Sequence, residues 1–139
     1  MGRILAIDYG SKRVGLAVTD SLQMIANPLD TIHAKDVISY LLAYTQKEEV
    51  ELFVIGEPKH KDGHPMDISL QINAFINLLK KTFPMIGIER EDERFTSKMA
   101  FNVMLNSGIG KEKRKDKKLV DKIAAVIILQ SYLERKSYQ

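Results

Sequence analysis

Apolar residues in this 139-residue chain fall into two rhythms. Ile4, Leu5, Ala6 and Ile7 are contiguous within a segment, 3–9, that reads as a strand. A run without polar alternation suits a central strand covered on both faces. The tight turn Gly10-Ser11-Lys12-Arg13 leads into a second strand, 14–19, with Gly15 inside it; strands this close pair as a hairpin. Asn27-Pro28 reads as a break before a short strand over 29–33. The rhythm then becomes helical. Positions 36–47 set Val37, Ile38, Leu41 and Leu42 on one stripe, and 67–82 do the same with Ile68, Ile72, Phe75, Ile76 and Leu79. Short strands over 52–55 and 85–89 alternate with these helices. A helix over 96–106, opened by Thr96 or Ser97 and closed by Ser107-Gly108, and another over 119–136 complete the pattern.

Three leading strands form an antiparallel meander, and the later alternation implies parallel strands joined by crossovers. The expected fold is α/β, a mixed five-stranded sheet flanked by helices, in a single domain over 1–139 with no internal repeat. With no cysteine, disulfide frameworks and thiolate metal sites are excluded. No uninterrupted apolar stretch approaches the ~20 residues of a membrane helix. Asp8 interrupts the first apolar run too early for a signal peptide, and Ala6 stands where a myristoylation motif needs Ser or Thr. These features lead us to expect a cytoplasmic protein with no membrane association. The net charge of +3 is a mild bias toward nucleic acid. Its distribution matters more, because Lys111, Lys113, Arg114, Lys115, Lys117 and Lys118 are clustered.

Four acidic positions are candidates for chemistry. Asp8 ends an apolar strand before a glycine turn, at the kind of strand end where open α/β sheets bind ligands. A turn-capping aspartate would look the same. Asp121 shares a helical face with Ala124, Ala125 and Ile128, so it lies on the packing stripe. A helix-start acid favoured by the dipole explains its location but not its face. The run from Glu89 through Arg90, Glu91, Asp92 and Glu93 to Arg94 reads as a solvated turn or as a second carboxylate source at a strand end. Glu57 follows the strand over 52–55, where it is equally an ordinary loop glutamate before Pro58. Carboxylates converging from strand ends and a helix make an oxygen-ligand site suited to Mg²⁺ or Mn²⁺. Two such ions catalyse phosphodiester hydrolysis. His33, His60 and His64 lack a zinc spacing, and Gly63 and Pro65 argue against a helix there. The basic cluster reads as a solvated loop or as a phosphate contact; no aromatic residue lies within it to stack on bases.

Three blocks resemble one family. Residues 7–20, Ile-Asp-Tyr-Gly-Ser-Lys-Arg-Val-Gly-Leu-Ala-Val-Thr-Asp, resemble the opening motif of the YqgF (RuvX) family. Asp92-Glu93-Arg94-Phe95-Thr96-Ser97 resembles its Asp-Glu-Arg-Leu-Thr motif. Asp121 to Gln130 resembles its closing motif. The blocks lie in order across essentially the whole chain. The resemblance implies an RNase H-like fold related to the RuvC Holliday junction resolvases. It also implies a nuclease maturing the 5′ end of pre-16S rRNA, in older descriptions a junction resolvase. Carried over by motif, the catalytic and metal-holding acids are Asp8, Glu93 and Asp121, with two Mg²⁺ or Mn²⁺ ions. Arg94 would lie near a phosphate. Lys12 and Arg13 would flank the substrate path, and Lys113, Arg114 and Lys115 would bind nucleic acid. Gly56-Glu57-Pro58 stands where many members have Gly-Leu-Pro, which keeps Glu57 open as a further or replacement ligand.

Two other functions compete. The Asp8-Tyr9-Gly10 hairpin also resembles the phosphate-binding hairpin of actin-like and hexokinase-like ATPases, but those need two such lobes and the hairpin does not recur. A non-catalytic RNA-binding ribosome-assembly factor would use the basic loop without needing the three acids together. The basic cluster yields one prediction. Replacing Lys113, Arg114 and Lys115 with alanine should weaken RNA binding and flatten its dependence on salt in a filter-binding titration. An unchanged slope assigns the cluster to solubility alone.

Overall fold

The computed structural model describes residues 2–58, 67–93 and 117–137. Within them the chain runs β1 (Arg3–Tyr9), β2 (Arg13–Thr19), β3 (Ala26–His33), a 3₁₀ turn (Ala34–Asp36), α1 (Val37–Lys47), β4 (Val50–Glu57), α2 (Ser69–Thr82), β5 (Gly87–Asp92) and α3 (Lys117–Ser137). The expected helix over 96–106 lies outside the described residues, as do His60, His64, Arg94 and Lys111 to Lys115.

The five strands form one sheet in the order β3-β2-β1-β4-β5. β1, β2 and β3 pair antiparallel, while β1–β4 and β4–β5 pair parallel. This is the mixed sheet expected from the element order, and β1 lies at its centre. Strand alternation divides the core. Leu5, Ile7, Val14, Leu16, Phe53 and Ile55 point to the face covered by α1 and α2, where Leu41, Ile72, Phe75, Ile76 and Leu79 meet them. Ile4, Ala6, Ala17 and Val54 point to the other face, under Ala125, Ile128, Leu129 and Tyr132 of α3. The first face is built from large side chains and the second from small ones, so α3 rides close to the sheet. Leu42, placed on the α1 packing stripe by its spacing, is 43% exposed; Val37 and Leu41 carry that contact instead.

Three strand boundaries move from their expected places. β3 begins at Ala26, running through Asn27-Pro28 where a break was expected. It is an edge strand, where proline's missing donor costs no ladder bond. The register shift between Leu16 and Ala17 skips Leu29 and absorbs the irregularity. β4 is longer than 52–55 because its ends pair with β1 and β5. β5 is Gly87–Asp92 rather than 85–89, so most of the charged run is strand and not turn. Its acids are partnered from α3: Tyr132 hydrogen-bonds Glu89, and Ser131 Oγ donates to Glu91 at 2.8 Å. Arg135 also pairs with Glu91, at 2.9 Å. With those partners, carboxylates tolerate the sheet face beneath a helix.

The N-terminal part of α3 is seated at two points. Thr31 Oγ donates to the Lys118 carbonyl. At Gly15 there is no room for a side chain: a Cβ there would collide with the Asp121 carbonyl oxygen and lie 2.6 Å from its carbon. Backbone atoms cannot swing aside, so Gly15→Ala should displace the helix and cost about 1–3 kcal/mol of stability, as overpacking does. Urea unfolding of the variant tests this; an unmoved midpoint would mean that α3 is not seated on β2.

Candidate active site

Asp8 is the penultimate residue of the central strand, on the α3 face of the sheet. Its neighbour on β2 is Gly15, its register partner. On the β4 side, Ile7 pairs with Ile55, which puts Gly56 next along. Each glycine makes room for another acid. Gly15 admits the backbone of Asp121, as above. A Cβ on Gly56 would stand 2.7 Å from the Glu93 carboxyl carbon and 2.8 Å from its Oε2. The Glu93 amide also donates to the Glu57 carbonyl at 3.0 Å, extending the β4–β5 ladder and fixing where Glu93 leaves the strand. Asp8, Glu93 and Asp121, named from separate motifs, therefore converge from β1, the end of β5 and the start of α3.

The electrostatics agree with that convergence. Burial raises the Asp8 carboxyl above the ordinary carboxylate range, and the charge of Asp121 adds to the rise. Burial raises Glu93 further, to about 8, with Asp8 contributing through charge and a hydrogen bond. The hydrogen bond between them lowers Asp8 and raises Glu93, so it works against the rise at Asp8 and with it at Glu93. Asp121 is treated differently. Its Oδ2 accepts from Arg13 Nε at 2.8 Å. Among the described residues, no three acidic or histidine side chains already stand at metal-ligand spacing. The donor set nevertheless suits a hard divalent cation: it is all oxygen, and burial makes its carboxylates costly to charge without a counter-ion.

Asp8, Gly10, Ser11, Lys12, Arg13, Ile68 and Asp121 line a cleft of about 320 Å³. Lys12 and Arg13, expected beside a substrate path, are thus at the acids. Glu57 is not brought to them. One residue beyond Gly56, its side chain turns to the opposite face of the sheet, where Arg90 Nη1 pairs with it at 2.9 Å. A larger hollow, about 550 Å³, lies at the other end of the sheet around Ile4, Glu51 and Lys136. Asp8, whose carboxyl is raised, lines the smaller cleft together with Asp121, and we place the chemistry there. Gly15 and Gly56 are the site-forming residues that motif reading passes over; a glycine inside a strand signals close approach of another group.

The two raised carboxyls have a consequence for stability. Both titrate higher in the folded chain than in the unfolded one. Their contribution is full below the ordinary carboxylate range and is lost as pH rises through about 8. Without divalent metal, melting temperature should fall between pH 5 and pH 9, and Asp8→Asn should reduce that fall. A variant with the wild-type pH profile would remove the pair as its source.

Comparison with known proteins follows the same lines. A family description, "RuvX: Holliday junction resolvase", matches residues 2–135. A relative from Parabacteroides distasonis, 52% identical over 139 residues and covering 100% of this chain and 99% of its own, is named "Putative pre-16S rRNA nuclease". One from Flavobacterium psychrophilum with the same name is 52% identical over 136 residues, covering 98% and 99%. Among solved structures, Thermus thermophilus RuvC in complex with a Holliday junction substrate is similar with a TM-score of 0.59. It covers 99% of this chain and 98% of its own at 15% identity. At that identity the likeness speaks for the RNase H-like fold alone.

Proposed function

Since this chain belongs to the RuvX family, we propose that it is a metal-dependent nuclease that hydrolyses phosphodiester bonds, with pre-16S rRNA as its substrate. The observation that carries the chemistry is the placing of Glu93 and Asp121 on either side of Asp8 by two strand glycines. The RNA substrate is suggested by the names of the full-length relatives. rRNA processing would place the protein in the cytoplasm; among the described residues, no helix is long and apolar enough to cross a membrane.

Asp8, Glu93 and Asp121 would hold Mg²⁺ or Mn²⁺, two ions in the fullest arrangement. When bound, such ions lower the pKa of water and stabilise charge on the leaving oxygen. The chain's own residues do the rest. Asp8 on the rigid central strand fixes the origin of the site, and Glu93 would reach it from the end of β5. Lys12 and Arg13 border the cleft and would draw the phosphate backbone into it. Arg94 and the basic cluster at Lys113, Arg114 and Lys115, outside the described residues, would extend that track.

A labelled pre-16S 5′ leader and a four-way DNA junction should be incubated in parallel with Mg²⁺, Mn²⁺ or EDTA. We expect metal-dependent cutting of the RNA, reduced by about 10²-fold or more in Asp8→Asn and Asp121→Asn, since each loses a unit of ligand charge. Preferential cutting of the junction would assign resolvase activity instead. Tight binding without cleavage in wild type and variants alike would leave a non-catalytic assembly factor.

A further inference from the structure

We propose that Arg13 couples nucleic-acid binding to metal binding, by holding the Asp121 carboxylate until a phosphodiester draws its guanidinium away. The inference rests on the nuclease reading of the same cleft. Arg13 is the first residue of β2 and follows directly on the Gly10-Ser11-Lys12 turn. Its Nε lies 2.8 Å from Asp121 Oδ2, and the two side chains are 38% and 22% exposed. The pair therefore sits at the rim of the cleft, where solvent and a phosphate can reach it. A partly exposed ion pair is weak enough to be exchanged. The guanidinium fork matches a phosphate as well as it matches a carboxylate.

The backbone beneath Asp121 is not free to follow. Gly15 and Thr31 pin the start of α3 against β2 and β3. Completing the site is thus a matter of side-chain rotation and not of helix movement. Arg13 is the resident cation on Asp121, and a divalent ion that takes this carboxylate must displace it. A nucleic acid that takes Arg13 removes one competitor beforehand, so metal and nucleic acid favour each other's binding, each by the same factor. Arg13 is a positioning residue in this scheme, acting through Asp121.

The test is Mn²⁺ titration calorimetry on wild type, Arg13→Gln, Arg13→Lys and Asp8→Asn without nucleic acid. Ca²⁺ titrations of wild type and Arg13→Gln would then be run with and without a short RNA oligomer, with RNA integrity checked on a gel. Arg13→Gln should bind Mn²⁺ about three- to tenfold more tightly than wild type. Arg13→Lys should lie between them, and RNA should tighten Ca²⁺ binding in wild type more than in Arg13→Gln. A merely structural arginine would give the opposite sign, weaker metal binding in the glutamine variant. If Mn²⁺ binds wild type and is lost in Asp8→Asn, but Arg13→Gln binds it no more tightly, the coupling is overturned and the nuclease reading stands. If no variant and no wild-type sample binds metal, the metal-dependent reading fails and the coupling falls with it.

Discussion

The close seating of α3 on the sheet, made possible where Gly15 faces the Asp121 backbone, constrains everything around Asp8. A helix at ordinary distance would leave Asp121 too far out to act on Asp8. The approach is maintained along the helix by Ala6, Ala17 and Ala125, whose small side chains let Ile128 and Tyr132 settle onto β1 and β4. Further along, Ser131, Tyr132 and Arg135 hold the acids of β5. One helix thus supplies a candidate ligand near its start and a structural clamp near its end. A change anywhere along its inner face would register at the site.

Much of this was legible in the residues. The contiguous apolar run of β1 gave away a central strand, and the helical stripe through Asp121, Ala125 and Ile128 correctly put an acid on a packing face. The five-stranded mixed sheet followed from element order. What escaped detection was long-range. The charged run after Ile88 looks solvated because its partners are some forty residues away on α3. Pro28 looks like a break because nothing local announces an edge strand. The motif favours Glu93 but leaves Glu57 open as a ligand, and only the alternation of β4 past Gly56 sends Glu57 to the other face. No local pattern reports the Arg13–Asp121 pair, whose members are 108 residues apart.

Two demands compete at the cleft. Folding favours neutral groups beneath a helix, whereas a cation site requires concentrated negative charge. The chain meets both by pairing the acids: Asp8 and Glu93 share a hydrogen bond, and Arg13 lends its guanidinium to Asp121. Active sites commonly carry such a conflict at some cost in stability. Here the cost is confined to three side chains on rigid elements, and the core on the α1–α2 face, with Leu5, Phe53, Ile72 and Leu79, is untouched by it.

The irregular strand β3 has an effect reaching beyond the single molecule. An open sheet with two regular edges invites a second chain to add its own strand and so begin an aggregate. At one edge of this sheet, Pro28 lacks the donor such an addition would need, and the bulge at Leu29 spoils the spacing. At the other edge β5 carries Glu89, Arg90, Glu91 and Asp92 in succession, a charged run that an incoming apolar strand matches poorly. The described sheet is thereby guarded at both margins against uncontrolled growth, a useful property for a protein whose central strands are as apolar as β1 and β4.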